Sequence, residues 1–268
     1  MILVAHVLAV SCYLGAAALA ATPLARPVPA PVQWVVRLLL LGVVAHGVAL
    51  GAAARDLGHL PLTGLGPALS AAGFLLALTL LAAEVLARDV TLTIAAAPLA
   101  ALCATAANLI GLRTVAEPGG LTGAWLLAHI GLSLVGMAAY ATAAAAGTMY
   151  LVEHRELKSR RFGALFRLFP PLQTLDRVNH LAIVGGWLLL TLGVVLAVTY
   201  AVAHHQFAWP KVVWSLAAWL ALSSIAFGRL VGVVRARRAA WLTAVTFAGV
   251  IALYLAARVV TGAPGRFL

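Results

Sequence analysis

In a chain that is 64% hydrophobic and 9% charged, eight histidines carry most of the chemistry on offer. A neutral imidazole costs less to bury than a carboxylate or an ammonium, and its ring nitrogens ligate metals, iron among them. His129 lies in the apolar stretch AWLLAHIGLSLVGMAAY, residues 124–140, one helical turn beyond Trp125. His46 lies deeper in an apolar run of its own, roughly 16 Å from the start of that run at about 1.5 Å per helical residue. For each, two roles are open: a ligand, or a helix-packing side chain bonded to a neighbouring carbonyl. His204 and His205 are adjacent, and neighbours on a helix point about 100° apart, so both cannot readily reach one metal. They read as interfacial polar residues.

Tryptophan supplies the second pattern. FAWPKVVWSLAAWLALSSIAFGR sets Trp209, Trp214 and Trp219 at steps of five. Trp209 and Trp214 fit either an aromatic belt or a binding face. Trp219, about 12 Å along the helix from Lys211, lies below the interfacial zone and packs on helices or on a flat ligand. Arg229 near the other end of that segment reads as a side chain that snorkels to headgroups, and Glu84 as a structural partner of Arg88 at i+4. Cys12 and Cys103 lie in different apolar runs and form no C-x-x-C pair. No Gly-rich phosphate loop, paired carboxylates or nucleophile elbow occurs, which removes conventional hydrolysis and phosphoryl transfer.

The elements that must position these residues are membrane helices. Spanning a bilayer takes about 20 apolar residues, and eight such runs fall at approximately 3–21, 35–54, 67–86, 92–112, 124–151, 180–203, 211–231 and 240–258. The expectation is an all-α, polytopic transmembrane bundle forming a single integral membrane domain over 1–268. At alternate connections fall 13 of the 18 Lys and Arg residues, among them Arg26, Arg155, Lys158, Arg235 and Arg238. Positive residues stay on the cytoplasmic side, so both termini are expected outside. Six of the eight histidines, His154 and His180 being the exceptions, then map to the outer half. The net charge of +11 is a retention signal and an attraction to anionic lipid, and requires no nucleic acid. The connection at about 155–179 places Phe162, Leu165, Phe166 and Phe169 at i, i+3, i+4 and i+7, the pattern of a cytoplasmic amphipathic helix lying on the membrane.

WLLAHIGLSLVGMAAYATAAAAGTMYLVEHRELKSR, FPPLQTLDRVNHLAIVGGWLLLTLG and WPKVVWSLAAWLALSSIAFGRLVG resemble, in order and spacing, the membrane cytochrome c assembly family. The likeness is to its small eight-helix branch, the HemX-like or YpjD-like proteins related to the CcsA subunit of cytochrome c synthase, over a core at about 124–258. The resemblance implies a non-covalent, b-type haem handled at the outer face of a bacterial cytoplasmic membrane. His129 then matches an iron ligand, and His46 is the internal choice for a second, with His204 or His205 as alternatives. Trp125, Trp209, Trp214 and Trp219 would contact the ring; Lys211, Arg229, Arg55 and Arg113 are the basic residues in question. The family's WDPKE is reduced here to WPK, Phe227 replaces a histidine of the full synthases, and no histidine follows His205. The implied role is therefore a haem-binding factor that assists cytochrome c assembly or haem delivery, with other assembly components as partners, and a complete synthase site is not expected. The alternative is a haem-free member acting as a scaffold or regulatory subunit.

Overall fold

Eight helices long and apolar enough to cross a membrane account for nearly all of the described chain. In the computed structural model they are α1 (Ile2–Ala20), α2 (Val32–Leu57), α3 (Leu65–Ala87), α4 (Thr93–Ile110), α5 (Ala124–Ser159), α6 (Leu172–His204), α7 (Trp209–Leu230) and α8 (Ala236–Thr261). The structure describes residues 1–25, 28–58, 60–62, 65–87, 91–111, 124–160, 169–204 and 209–261, apart from the side chains at 86, 87, 124, 126, 127, 204, 209–211 and 254–261. Among the described residues there is no strand.

The helix ends differ from the sequence expectation where charge begins. The apolar run of α5 stops near Leu151, yet the helix continues through Glu153, Arg155, Glu156 and Lys158. Charged residues end a hydrophobic span without ending a helix, because Glu, Lys and Arg are good helix formers. Likewise α6 begins directly after Pro171, whose carbonyl accepts from the amides of Thr174 and Leu175 at 2.8 and 3.2 Å, a position where proline's missing N–H costs nothing. The connection is thus shorter than 155–179, and the amphipathic pattern centred on 161–168 lies outside the described residues.

Packing divides the bundle into two groups joined by α5. One group sets α1 against α2 and α4, and α3 against α4 and α5; the other pairs α5 with α6 most extensively, with α7 on α6 and α8. Lipid offers no hydrophobic drive between helices, so close backbone approach through small residues holds them. A Cβ added at Gly136 would meet the Gly186 carbonyl at 3.0 Å, and one at Gly193 would meet Ser133 Oγ at 2.6 Å. These positions let α5 and α6 run side by side. At the same junction Asn179 Nδ2 donates to the Ala143 carbonyl at 2.8 Å.

Glu84, buried near the end of α3, accepts from the Thr93 amide at 2.7 Å and its hydroxyl at 2.9 Å. Its carboxylate therefore satisfies one orphan amide, that of Thr93, at the start of α4. The expected partner, Arg88, lies outside the described residues.

Candidate functional site

His129 is half-buried in the second turn of α5, facing α6. Its Nδ1 lies 2.8 Å from the carbonyl oxygen of Gly193. A carbonyl can only accept, so Nδ1 carries the proton, and in the neutral ring Nε2 is left with its lone pair. Among the described residues nothing bonds to Nε2. One turn earlier, Trp125 Nε1 donates to the Leu196 carbonyl at 2.9 Å while the indole stays exposed. Two side chains on α5 are therefore clamped to two carbonyls one turn apart on α6. A ring oriented by an Nδ1–H bond to backbone, with Nε2 open, is the arrangement a metal-binding histidine uses.

Gly193 makes the clamp possible, because any side chain there would strike Ser133 and hold its carbonyl away from His129. Sequence reasoning passed over Gly193 and Ser133. The signal was the small-residue character of both helices, which marks close packing without saying which glycine faces which helix.

The tryptophans of α7 divide. Trp219 is half-buried and donates through Nε1 to Thr191 Oγ1 at 3.0 Å, while Trp187 on α6 donates back to Ser223 Oγ on α7 at 3.0 Å. Together with Tyr140 Oη, which donates to the Leu222 carbonyl at 3.1 Å, this reciprocal pair fastens α7 to its neighbours. Trp219 is packed on helices, and Trp187, its counterpart, was not singled out in the sequence. Trp214 is half-buried five residues nearer the start of α7. The side chains of Trp209, Lys211 and His204 lie outside the described residues, as do His205 and Arg113. Arg55 is exposed in the last turn of α2.

Arg229 does not snorkel. Its side chain is 8% exposed, and the guanidinium is bonded to Asp176 Oδ1 at 2.6 Å, near the start of α6. A partner carboxylate inside the bundle outcompetes the headgroups for it. Trp214 and Arg229 are about 22 Å apart along α7, so Arg229 stands at the opposite end of the helix from the His129 clamp.

His46 is fully buried in the other helix group. Its Nδ1 lies 3.2 Å from Tyr13 Oη and its Nε2 3.1 Å from Ser70 Oγ, and its ring meets His6 and Phe74 edge-on. Both ring nitrogens are engaged, and its neighbours come from α1 and α3, not from α5 or α6. The structure does not bring His46 to His129. Among the described residues, no group of three or more His, Cys, Asp and Glu side chains could hold a metal. Iron at His129 would rest on one protein ligand of the described set.

A family model described as "Cytochrome C assembly protein" matches residues 65–263. Among curated proteins none matches the chain. The matched segment covers α3 to α8 and includes His129, Trp125, Gly193 and Trp214, whereas α1 and α2, with His6 and His46, precede it.

Proposed function

The chain belongs to the cytochrome c assembly protein family, and from that membership we propose that it binds haem through His129 and assists haem delivery during cytochrome c assembly. The observation that carries the reading is the His129 geometry: Nδ1–H held by the Gly193 carbonyl and Nε2 left open in the family-matched segment. The residues present fit a haem whose iron would be held by the His129 imidazole. Trp125 exposes an aromatic face one turn away, and Trp214 supplies a second candidate surface. When bound, the group would supply an iron that the His129 imidazole ligates reversibly. That suits a carrier, which must release what it holds. His46 gains no support as the opposite ligand, and Arg229, paired with Asp176, none as a haem contact.

Charge distribution supports placing the His129 end outside a bacterial cytoplasmic membrane, with both termini on that side and the basic connections inside. The reduced WPK motif and the lack of any histidine beyond His205 support a HemX-like or YpjD-like factor working beside other assembly components, in place of a full synthase.

The test is haem titration of the purified protein, read at the Soret band. The expected result is one haem per chain, with affinity falling about tenfold or more in His129→Ala and unchanged in His46→Ala. A protein that binds no haem, or binds it equally well as His129→Ala, overturns the reading. In that case the Gly193 bond is helix packing alone, and the scaffold role stands in its place.

A further inference from the structure

Four polar side chains, three of them on helices that precede the family-matched segment, form a chain through the lipid-buried part of α1, α2 and α3. Tyr13 Oη lies 3.2 Å from His46 Nδ1, His46 Nε2 lies 3.1 Å from Ser70 Oγ, and Ser70 Oγ lies 2.9 Å from His6 Nε2. Tyr13, His6, His46 and Ser70 are all fully buried. The far nitrogen, His6 Nδ1, is buried with no hydrogen-bond partner. Burying two imidazoles with an open ring nitrogen is expensive in lipid, and such groups usually mark a site. The imidazoles aim their Nε2 atoms at one point, now held by a small hydroxyl, with ring centroids 4.9 Å apart.

We propose that His6 and His46 form a binding site for monovalent copper. An ion at the point where both Nε2 atoms converge needs each nitrogen to move inward by about 1 Å to reach a bond near 2.0 Å, and Ser70 Oγ to turn aside. Tyr13 Oη then accepts from His46 Nδ1–H, the second-shell bond that orients a ligating imidazole. No proton is lost, because each neutral ring keeps one N–H, carried on Nδ1 once its Nε2 faces the ion. The choice of ion follows from what surrounds the site. No carboxylate or third imidazole among the described residues contacts the cluster, so a divalent ion would bury two uncompensated charges where even one is costly. Zinc and iron also call for four or more ligands. Cu(I) carries a single charge and accepts two nitrogen ligands. A macrocycle does not fit between two buried rings in edge contact, which separates this site from the His129 clamp.

The experiment uses the full-length protein in nanodiscs with Cys12→Ala and Cys103→Ala, which removes both thiols. Cu(I) is titrated anaerobically against a chromophoric chelator. The expected outcome is one Cu(I) per chain, with X-ray absorption showing nitrogen or oxygen neighbours only. Affinity should fall about tenfold or more in His6→Gln and in His46→Gln, persist in Ser70→Ala, and be unchanged in His129→Ala. Circular dichroism confirms that each variant is folded, and Ser70→Ala, which loses the hydrogen bonds but keeps both ligands, separates ligation from packing. Absence of stoichiometric binding, equal binding by both His→Gln variants, loss in Ser70→Ala equal to theirs, or preference for Zn(II) over Cu(I) overturns the proposal. Because His129 is absent from the site, failure here leaves the haem reading untouched.

Discussion

Replacing Gly193 by valine tests whether the close approach of α6 to α5 is what orients His129. A Cβ at this position would lie 2.6 Å from Ser133 Oγ and 3.4 Å from its amide nitrogen. Ordinary contact between such atoms is about 3.5 Å, so the Cβ alone demands about 0.9 Å. The two valine methyls extend beyond it, and rotating the Ser133 hydroxyl cannot make room for them. The helices must part by at least that amount. The 2.8 Å bond from His129 Nδ1 to the Gly193 carbonyl then opens to about 3.7 Å, beyond hydrogen-bond range, and the Trp125 bond one turn away is strained with it. Losing two interhelical bonds costs about 1–2 kcal/mol in a membrane protein, and overpacking adds about 1–3 kcal/mol. A histidine without its orienting partner should lose haem affinity by about 10–100-fold. Gly185→Val is the matched control on the same helix, since a Cβ there meets nothing within 4 Å. The assays are thermal unfolding in detergent and Soret titration. Haem affinity in Gly193→Val within about twofold of the parent, where outer-shell losses run to 10–100-fold, or equal damage from Gly185→Val, refutes the argument.

Three further outcomes follow from contacts elsewhere in the bundle. Asp176→Asn weakens a short ion pair in which the Arg229 side chain is 8% exposed but the Asp176 side chain 34%; breaking a fully buried pair costs about 3–5 kcal/mol, and solvent at Asp176 reduces this to about 1–3 kcal/mol, read as a lowered unfolding temperature. The double variant Arg229→Met/Asp176→Leu should be more stable than either single change, since neither charge is left alone. Trp219→Phe removes the bond to Thr191 Oγ1 and should cost about 1 kcal/mol in thermal unfolding while leaving haem titration unchanged; altered haem binding would show that the indole contacts ligand.

How much of this was legible beforehand varied with the kind of signal. The eight spans could be read directly, because twenty apolar residues in a row have one physical solution in lipid. The resemblance identified the family that the 65–263 match bears out. The end of α5 and the start of α6 were misplaced because hydropathy reports where lipid stops, while the hydrogen-bond ladder runs on through Glu153 to Ser159 and begins again at Leu172. Arg229 was misread for a related cause. A charge near a helix end looks like a snorkelling residue until its partner, Asp176, some fifty residues earlier, is seen beside it.

Composition and periodicity by themselves settled that the chain is an all-helical membrane protein, and they picked out His129 and His46 as the imidazoles to explain. Local sequence cannot say which histidine meets which neighbour. One helix offers about 100° of rotation between successive residues, and small shifts in how two helices face each other decide every contact between them. Packing alone sent His46 to Tyr13, Ser70 and His6, with both nitrogens occupied. Packing alone brought the bare backbone of Gly193 against His129, fixed its proton on Nδ1 and left Nε2 open. Two histidines that read alike along the chain thus acquired different chemistry from the helices that closed around them.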